Sequence, residues 1–516
     1  MKEKIILEEV LYKYFRYSSF RKGQKEIIED VLEGNNVLGI LPTGSGKSIC
    51  YQLPSILLEG VTIVVSPLIS LMLDQVKQLK AMHYKRVVSI NSFMDYQERK
   101  RVYENLHQYK LIYLSPELLQ NQKLLFRLKQ IHVSLFVIDE AHCISQWGHD
   151  FRPDYLKLHQ VIKFLQYPRI LALSATATPE VQEDIIETLD VSSINRHIYK
   201  MDKPNIAFCI EAVENDQEKN EKLLSIIKRY QVPTLVYFSS RIGTEKCAQL
   251  ISKNLPKKSV AYYHGGMEQQ DRVQIQQQFM NGQLDIVCCT SAFGMGINKR
   301  DIRLIVHYHL PLDLESFIQE IGRAGRDGKE SVSLLLYSPH DLYLPQHIIS
   351  SELPKEEDLN RVYQILYQLY KMNNSIPENE TEKINLFQLN ETSWRFLHYH
   401  LENHGMIKDN QIIFHKEKWK ESFGLMKSVI QERKRHKENK LKKMIDWIHT
   451  ESCLRVNLYQ PFQESNSKAE FQCCSNCDFT WDDWNPVETH GQKYRNENWK
   501  HRLRELLLIG ENNETK

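Results

Sequence analysis

The chain has 516 residues, too many for one hydrophobic core, and its length fits about three or four domains. A hydrophobic content of 42% is that of a globular protein, and a formal net charge of only +2 excludes overall basicity as a source of nucleic-acid affinity, so any such surface must be local. No segment approaches the roughly eighteen apolar residues that span a bilayer, and the opening MKEKIILEEVLYKYF lacks a signal-peptide core; the expectation is a soluble cytoplasmic protein with no membrane partner.

Short apolar runs then alternate with helical stretches: NVLGIL, VTIVVS, KLIYLS, SLFVIDE and RILALSAT. Buried strands of about five residues between helices predict a parallel sheet of βαβ units. After KMDKPNIAF the pattern restarts with TLVYFSS, SVAYYHGG, DIVCCTS, LIVHYHL and VSLLLY. The fold class is therefore α/β, with two similar parallel-sheet domains at 1–205 and 206–343 and a ligand cleft between them, outside the carboxyl ends of the strands. Beyond residue 344, EEDLNRVYQILYQLY reads as an amphipathic helix, and NETSWRFLHYHLENHGMIKDNQIIFHK as a capped helix, a stop at Gly405 and a short strand. That predicts a helical, winged-helix-like insertion at 344–425, or a plain helical spacer. The last segment, 426–516, opens on the basic run KSVIQERKRHKENKLKKMIDWIH, which either contacts phosphate or forms a solvated helix face, and leads to a cysteine cluster.

The run NVLGIL leads into PTGSGKS and then a helix. Thr43, Gly44, Ser45, Gly46, Lys47 and Ser48 are the expected phosphate cradle. The glycines let backbone N–H groups curl around phosphate oxygens, Lys47 reaches the β and γ phosphates, and Ser48 ligates Mg²⁺. Leu41 stands where the strict pattern has glycine. SLFVIDEAH ends on Asp139, placed to hold Mg²⁺ through water, and Glu140, placed to polarise the attacking water. Carboxylates that merely cap the next helix would explain one motif, but not both in this order. ESFIQEIGRAGRDG supplies Arg323 and Arg326 at helical spacing, and a guanidinium donated across a cleft stabilises charge on a transferring phosphoryl group. An isolated pair would read as surface arginines; the flanking glycines and the matching first domain argue otherwise.

DEAHCISQWGHDFRPDY joins those carboxylates to Trp147, His149, Phe151, Arg152 and Tyr155, a set suited to a flat, negatively charged partner. With YSSFRKGQ, LPTGSGKS, VVSPLISLMLDQV, YLSPE, LSATAT, VYFSSR, YYHGGM, TSAFGMGINK and QEIGRAGRDG, it makes residues 5 to 343 resemble a superfamily 2 helicase of the RecQ family. The resemblance implies two RecA-like domains that use ATP to move 3′→5′ on single-stranded DNA and unwind tailed or forked duplex in repair or recombination. It also implies that the aromatic-rich stretch senses DNA. The physics agrees: Trp147 and Phe151 can stack on bases at roughly 1 to 3 kcal/mol each, and Arg152 can pair with phosphate. YSSFRKGQ resembles the family's adenine motif, with Gln24 as reader, Tyr17 stacking and Arg21 in support. Gln319 resembles a nucleotide contact, Ser174 to Thr176 match a coupling motif, and Gly294, Gly296 and Asn298 lie in a loop that links DNA to nucleotide. A single-strand-binding protein as partner, a monomeric state and association with the nucleoid complete the expectation.

Six of the ten cysteines, Cys50, Cys143, Cys209, Cys247, Cys288 and Cys289, are scattered in apolar segments and read as reduced core thiols. The other four resemble the family's zinc module. Cys453, Cys474 and Cys477 match its pattern, but Thr480 stands where the last cysteine belongs. Cys473, Asp478 or a nearby histidine could supply the fourth Zn²⁺ ligand, and Cys473 is the only spare thiol close by, although adjacent cysteines are sterically awkward as paired ligands. A module that folds without metal is the other reading. Shared DEAH chemistry leaves an RNA helicase as an alternative, and an unusual carboxyl-terminal layout leaves a DNA-stimulated ATPase that unwinds weakly.

Overall fold

The computed structural model describes residues 6–91, 93–145, 152–191, 193–294 and 299–486. Two wholly parallel sheets organise them. The first comprises β1 (Val37–Ile40), β2 (Val61–Val65), β3 (Val87–Ile90), β4 (Leu111–Leu114), β5 (Val133–Ile138), β6 (Arg169–Ser174) and β7 (Asn195–Ile198), in the order β3-β4-β2-β5-β6-β1-β7. The second comprises β8 (Ile206–Ala212), β9 (Thr234–Tyr237), β10 (Val260–Tyr263), β11 (Ile286–Cys289), β12 (Leu304–His307) and β13 (Ser331–Tyr337), in the order β10-β11-β9-β12-β13-β8. Every residue of the central strands β1, β2, β9, β11 and β12 is buried, as continuous apolar runs with helices on both faces require. The ten apolar runs of the sequence all form strands. β3, β7 and β8 are additional, and all three lie at sheet edges.

The helical part has a core of its own. Leu359, Val362 and Leu366 of the helix Glu356–Lys371 meet Phe387, Trp394 and Leu397, and Phe387 stacks on Trp394 at 4.2 Å between ring centroids. Asn390 caps the helix Glu391–Asn403 by accepting the Ser393 N–H at 2.7 Å, and left-handed Gly405 follows its end. The antiparallel hairpin of β14 (Ile407–Lys408) and β15 (Gln411–Ile412) completes the helix-and-hairpin unit. A helix of 33 residues, Lys416–Ile448, then runs through residue 425 without a break. Its basic stretch is tied to acids of the protein: Lys437 pairs with Glu352, and Lys440 with Glu315 at 2.8 Å.

Candidate nucleotide site and cysteine centre

β1 lies between β6 and the edge strand β7, and just past its end the Leu41 N–H donates to the Ser174 carbonyl at 3.0 Å. The loop 42–48 leaves from this carboxyl end and enters the helix Ile49–Leu57, with Ser48 at its N-cap position. The Ser45 N–H donates to the Pro42 carbonyl and the Ile49 N–H to that of Gly46, both at 3.1 Å, so the loop turns tightly against the helix start. Gly46 has φ +79°, a backbone conformation that favours glycine, and a Cβ there would lie 2.8 Å from Gln24 Nε2 and displace that amide.

Gln24 and Arg21 brace this loop. The Gln24 amide donates to the carbonyls of Ser45 (2.8 Å) and Gly46 (3.0 Å), its Oε1 accepts the Arg21 N–H at 2.9 Å, and the Arg21 guanidinium donates to the Gly44 carbonyl. The donor and acceptor of Gln24 expected to read adenine are here engaged on the phosphate loop and on the Arg21 N–H respectively. Tyr17 lines the same cleft and is 40% exposed.

Asp139 follows β5 directly and is nearly buried, with Glu140 after it in the left-handed region at φ +50°. Burial, and then the Glu140 charge, raise the Asp139 carboxyl to about 7 against the pull of Lys47. Glu140 Oε2 lies 3.6 Å from Lys47 Nζ and 3.5 Å from His142 Nδ1. His142 in turn pairs with Ser174 Oγ at 2.9 Å, and Ser174 donates to the Thr176 carbonyl at 3.1 Å. The expected coupling residues Ser174 and Thr176 are therefore hydrogen-bonded to His142 and to each other, beside the Glu140 carboxylate.

The second domain faces this surface with Gln319, Arg323 and Arg326, joined by Gly294 and Arg300, across a cavity of about 460 Å³. The helix Leu314–Ile321 ends before the arginines, so they share a turn after it rather than a helical face. The reason is local: two glycines, Gly322 and Gly325, interrupt the run, and Gly325 has φ +55°. Gly322 packs against Thr43, where a Cβ would come within 2.7 Å, and Arg326 packs beside Gly44. Burial, with Arg323 adding to it, lowers the Arg326 guanidinium to about 10. Arg323 is 2% exposed, and its Nε and Nη2 find no acceptor among the described residues. Ser45 Oγ, Glu140 Oε2 and Thr176 Oγ1 are likewise buried without hydrogen bonds. Unsatisfied donors on one wall and acceptors on the other suit a bound polyanion with its cation.

Trp147, His149 and Phe151, with Gly296 and Asn298, lie outside the described residues. Arg152 is described, and its guanidinium donates to the Pro67 carbonyl of the VVSPLIS stretch at 3.0 Å. Tyr155 departs from expectation. It is fully buried, and its hydroxyl donates to the Asp139 carbonyl at 3.1 Å. Pro153 starts the short helix Pro153–Leu156, which turns this ring into the core of the first domain instead of toward a base.

At the far end, the sulfur atoms of Cys453, Cys473, Cys474 and Cys477 all lie within 4.8 Å of one another. A zinc tetrahedron with Zn–S bonds of about 2.3 Å has edges of about 3.8 Å, so the set fits Zn²⁺. Burial raises the Cys453 thiol, but N–H groups at the start of the helix Leu454–Tyr459, that of Val456 foremost, bring it below its ordinary value. The steric objection to adjacent ligands fails because the chain at 473–475 is held by the edge of β8. The Phe208 N–H donates to the Cys473 carbonyl at 3.1 Å, and the Ser475 N–H donates to the Phe208 carbonyl at 2.8 Å. The other six cysteines are buried and form no disulfide among the described residues.

Sequence reasoning missed two residues near these sites. Lys203, between the sheets, donates to the Gly322 and Ala324 carbonyls at 2.5 and 3.2 Å. Burial and the nearby Arg326, Arg21 and Arg323 push its ammonium well below the usual lysine range. Arg455, beside the cysteines, is 2% exposed. Both stand in stretches that read only as a linker and a helix start.

Two α/β domains with a phosphate loop on one and arginines on the other define a nucleotide-driven helicase core. Residues 21–185 match the DEAD/DEAH box helicase model, 218–328 the helicase conserved C-terminal domain, and 412–479 the RecQ zinc-binding model. The chain is 42% identical to the probable ATP-dependent DNA helicase RecS of Bacillus subtilis, over 98% of this chain and 99% of that one. It is 40% identical to the ATP-dependent DNA helicase RecQ of the same organism, over 70% of this chain and 61% of the relative. Among solved structures, the DUF1998 helicase MrfA bound to DNA matches with a TM-score of 0.57 at 21% identity, over 67% of this chain and 53% of the other. Helicase Lhr of Mycobacterium smegmatis, bound to single-stranded DNA and AMP-PNP, also gives 0.57, at 18% identity over 79% and 59%. These two likenesses concern the fold. The chain belongs to the RecQ family of ATP-dependent DNA helicases.

Proposed function

We propose that this protein hydrolyses ATP in the cleft between its two α/β domains and uses the cycle to move 3′→5′ along single-stranded DNA, unwinding tailed or forked duplex in repair or recombination. The observation that carries it is the pair of opposed walls: Lys47, Asp139 and Glu140 on one, Arg323 and Arg326 on the other. Gln24 reads the adenine edge, with Tyr17 stacking on the ring and Arg21 in support, beside the loop that Thr43 to Ser48 wrap around the phosphates; Gln319 adds a contact from the second domain. Ser48 and Asp139 would hold Mg²⁺, which neutralises charge between the β and γ phosphates when bound. Glu140 orients water, and the two arginines close the domains onto the γ phosphate.

Trp147, His149, Phe151 and Arg152 contact DNA and are joined to the carboxylates through the DEAH segment, with Ser174 and Thr176 passing the signal through His142. Cys453, Cys473, Cys474 and Cys477 hold Zn²⁺. The division at 1–205, 206–343, 344–425 and 426–516, a monomeric state, single-strand-binding protein as a partner and a cytoplasmic place on the nucleoid belong to the same reading. Among the described residues, no helix is long and apolar enough to cross a membrane.

The test is ATP turnover with no nucleic acid, with single-stranded DNA, and with RNA of the same sequence, followed by strand displacement on 3′-tailed and 5′-tailed duplexes. Strong stimulation by DNA alone, with displacement from the 3′ tail, is expected. Turnover indifferent to nucleic acid would reduce the reading to a bare ATPase.

A further inference from the structure

We propose that Lys203 is a positioning residue for the arginine turn of the second domain, and that Arg455 of the cysteine module holds Lys203 in place. The proposal rests on the reading of Arg323 given above.

The helix Leu314–Ile321 stops one residue short of Gly322, so the carbonyls that follow have no partner further along a helix. Lys203 supplies one. Its ammonium donates to the Gly322 carbonyl at 2.5 Å and to the Ala324 carbonyl at 3.2 Å, one on each side of Arg323. A cation at a helix C-terminus also meets the negative end of the helix dipole. The placement is notable because burial, and then Arg326, Arg21 and Arg323, disfavour charge on Lys203. A lysine among three arginines would leave for solvent unless its donors were fixed on acceptors, and here two carbonyls fix them. The turn itself is tight: Gly294 packs directly on the Arg323 guanidinium, and Asn205 donates to the Gly325 carbonyl at 2.9 Å. Arg323 thus reaches the cleft from a backbone clamped at Gly322, Ala324 and Gly325.

Lys203 is clamped from behind. Arg455 Nη1 donates to the Lys203 carbonyl at 2.9 Å and to Asp202 Oδ1 at 2.5 Å, while its Nη2 donates to the Ile206 carbonyl. The guanidinium lies 5.0 Å from the Phe208 ring centroid, so its plane is fixed as well as its donors. Arg455 follows Cys453 on the helix Leu454–Tyr459. An unbroken series of bonded groups therefore runs from the cysteine module through the Lys203 backbone and side chain to the two carbonyls around Arg323. Displacing a catalytic group by about 1 Å costs on the order of 10²-fold in rate, so holding this turn matters to turnover and not only to folding.

The experiment is steady-state ATP turnover by the full chain at saturating single-stranded DNA. Lys203→Ala is expected to lower kcat at least about ten-fold while KM for ATP moves less than about three-fold, the signature of a misplaced transition-state group. Lys203→Arg, whose guanidinium can serve both carbonyls, should recover to within about three-fold of the parent. Arg455→Lys keeps the charge but loses the fork; it should lower kcat in the same direction, and adding it to Lys203→Ala should cost nothing further. Lys203→Met, which keeps the aliphatic stem, carries the test if the alanine variant does not fold. Unchanged kcat in Lys203→Ala or Lys203→Met, a change in KM alone, or Lys203→Arg as slow as alanine would overturn the proposal. Arg323→Ala separates the two layers. If it keeps full turnover, the reading of Arg323 fails; if it is inactive while Lys203→Ala is normal, only the role of Lys203 fails.

Discussion

Tyr155 donates its hydroxyl to the Asp139 carbonyl from inside the core, close in sequence to rings assigned to DNA. A residue at the end of the aromatic-rich stretch thereby supports the carboxylate at its start. Tyr155→Phe removes one buried hydrogen bond, and a loss of about 1 kcal/mol in unfolding free energy is expected, measured by denaturant titration. Turnover should change far less than in Lys47→Ala. Lys47 lies 3.6 Å from Glu140 and is the cation of the phosphate loop. Its removal should lower ATP turnover by about 10²-fold or more with DNA binding retained, checked by filter binding beside the ATPase assay. Turnover near the parent rate would remove the phosphate-loop assignment. At this scale the short motifs put Lys47, Asp139, Glu140, Arg323 and Arg326 around one cleft, as their spacing led one to expect. The sequence was misleading at Tyr155, whose partner is a backbone carbonyl that no side-chain pattern reveals.

At the scale of elements, what the sequence hid was hidden for a physical reason. β7, NRHI, is an edge strand with exposed positions, and it is a strand because it bonds to β1, not because it is apolar. β8 sits inside what reads as the junction between domains. Periodicity reports burial, so strands that exist through their pairing escape it. The helical insertion carries a pH dependence of its own. His400, in the helix Glu391–Asn403, is nearly buried; burial foremost, then His404 and Arg433, lower its pKa from 6.5 to about 4. The unfolded chain takes up that proton near 6.5 and the folded chain only near 4, so the stability from this site is complete above 6.5 and is lost as pH falls toward 4. The change is on the order of 3 kcal/mol. Thermal unfolding of His400→Phe across this range should show a flatter acid limb than the parent. Identical slopes would place the acid sensitivity elsewhere.

For the whole molecule, the two-domain architecture and the cleft were readable from ten apolar runs and four motifs, but the tie between the domains was not. The cysteine module does more than follow the motor. Through Arg455 it grips Asp202, Lys203 and Ile206, and through residues 473–475 it pairs with β8. Stripping metal with a strong chelator should therefore raise amide exchange along β8, at Phe208 and Ile210, more than along β9 or β12. Hydrogen exchange read by mass spectrometry checks this, and equal protection before and after chelation would mean that the module folds without Zn²⁺.

The pairing of Phe208 with Cys474 also sets an order of events during synthesis. The second sheet has all its strands once Tyr337 has been made, yet the outer edge of β8 stays bare until the chain near Cys474 emerges. At roughly 5 to 20 residues per second this leaves an open strand edge on the ribosome for roughly seven to twenty-seven seconds. Such an edge is a template for pairing with any other extended chain. During that interval the outer edge of Ile206–Ala212 presents backbone groups that residues 473–475 later pair with.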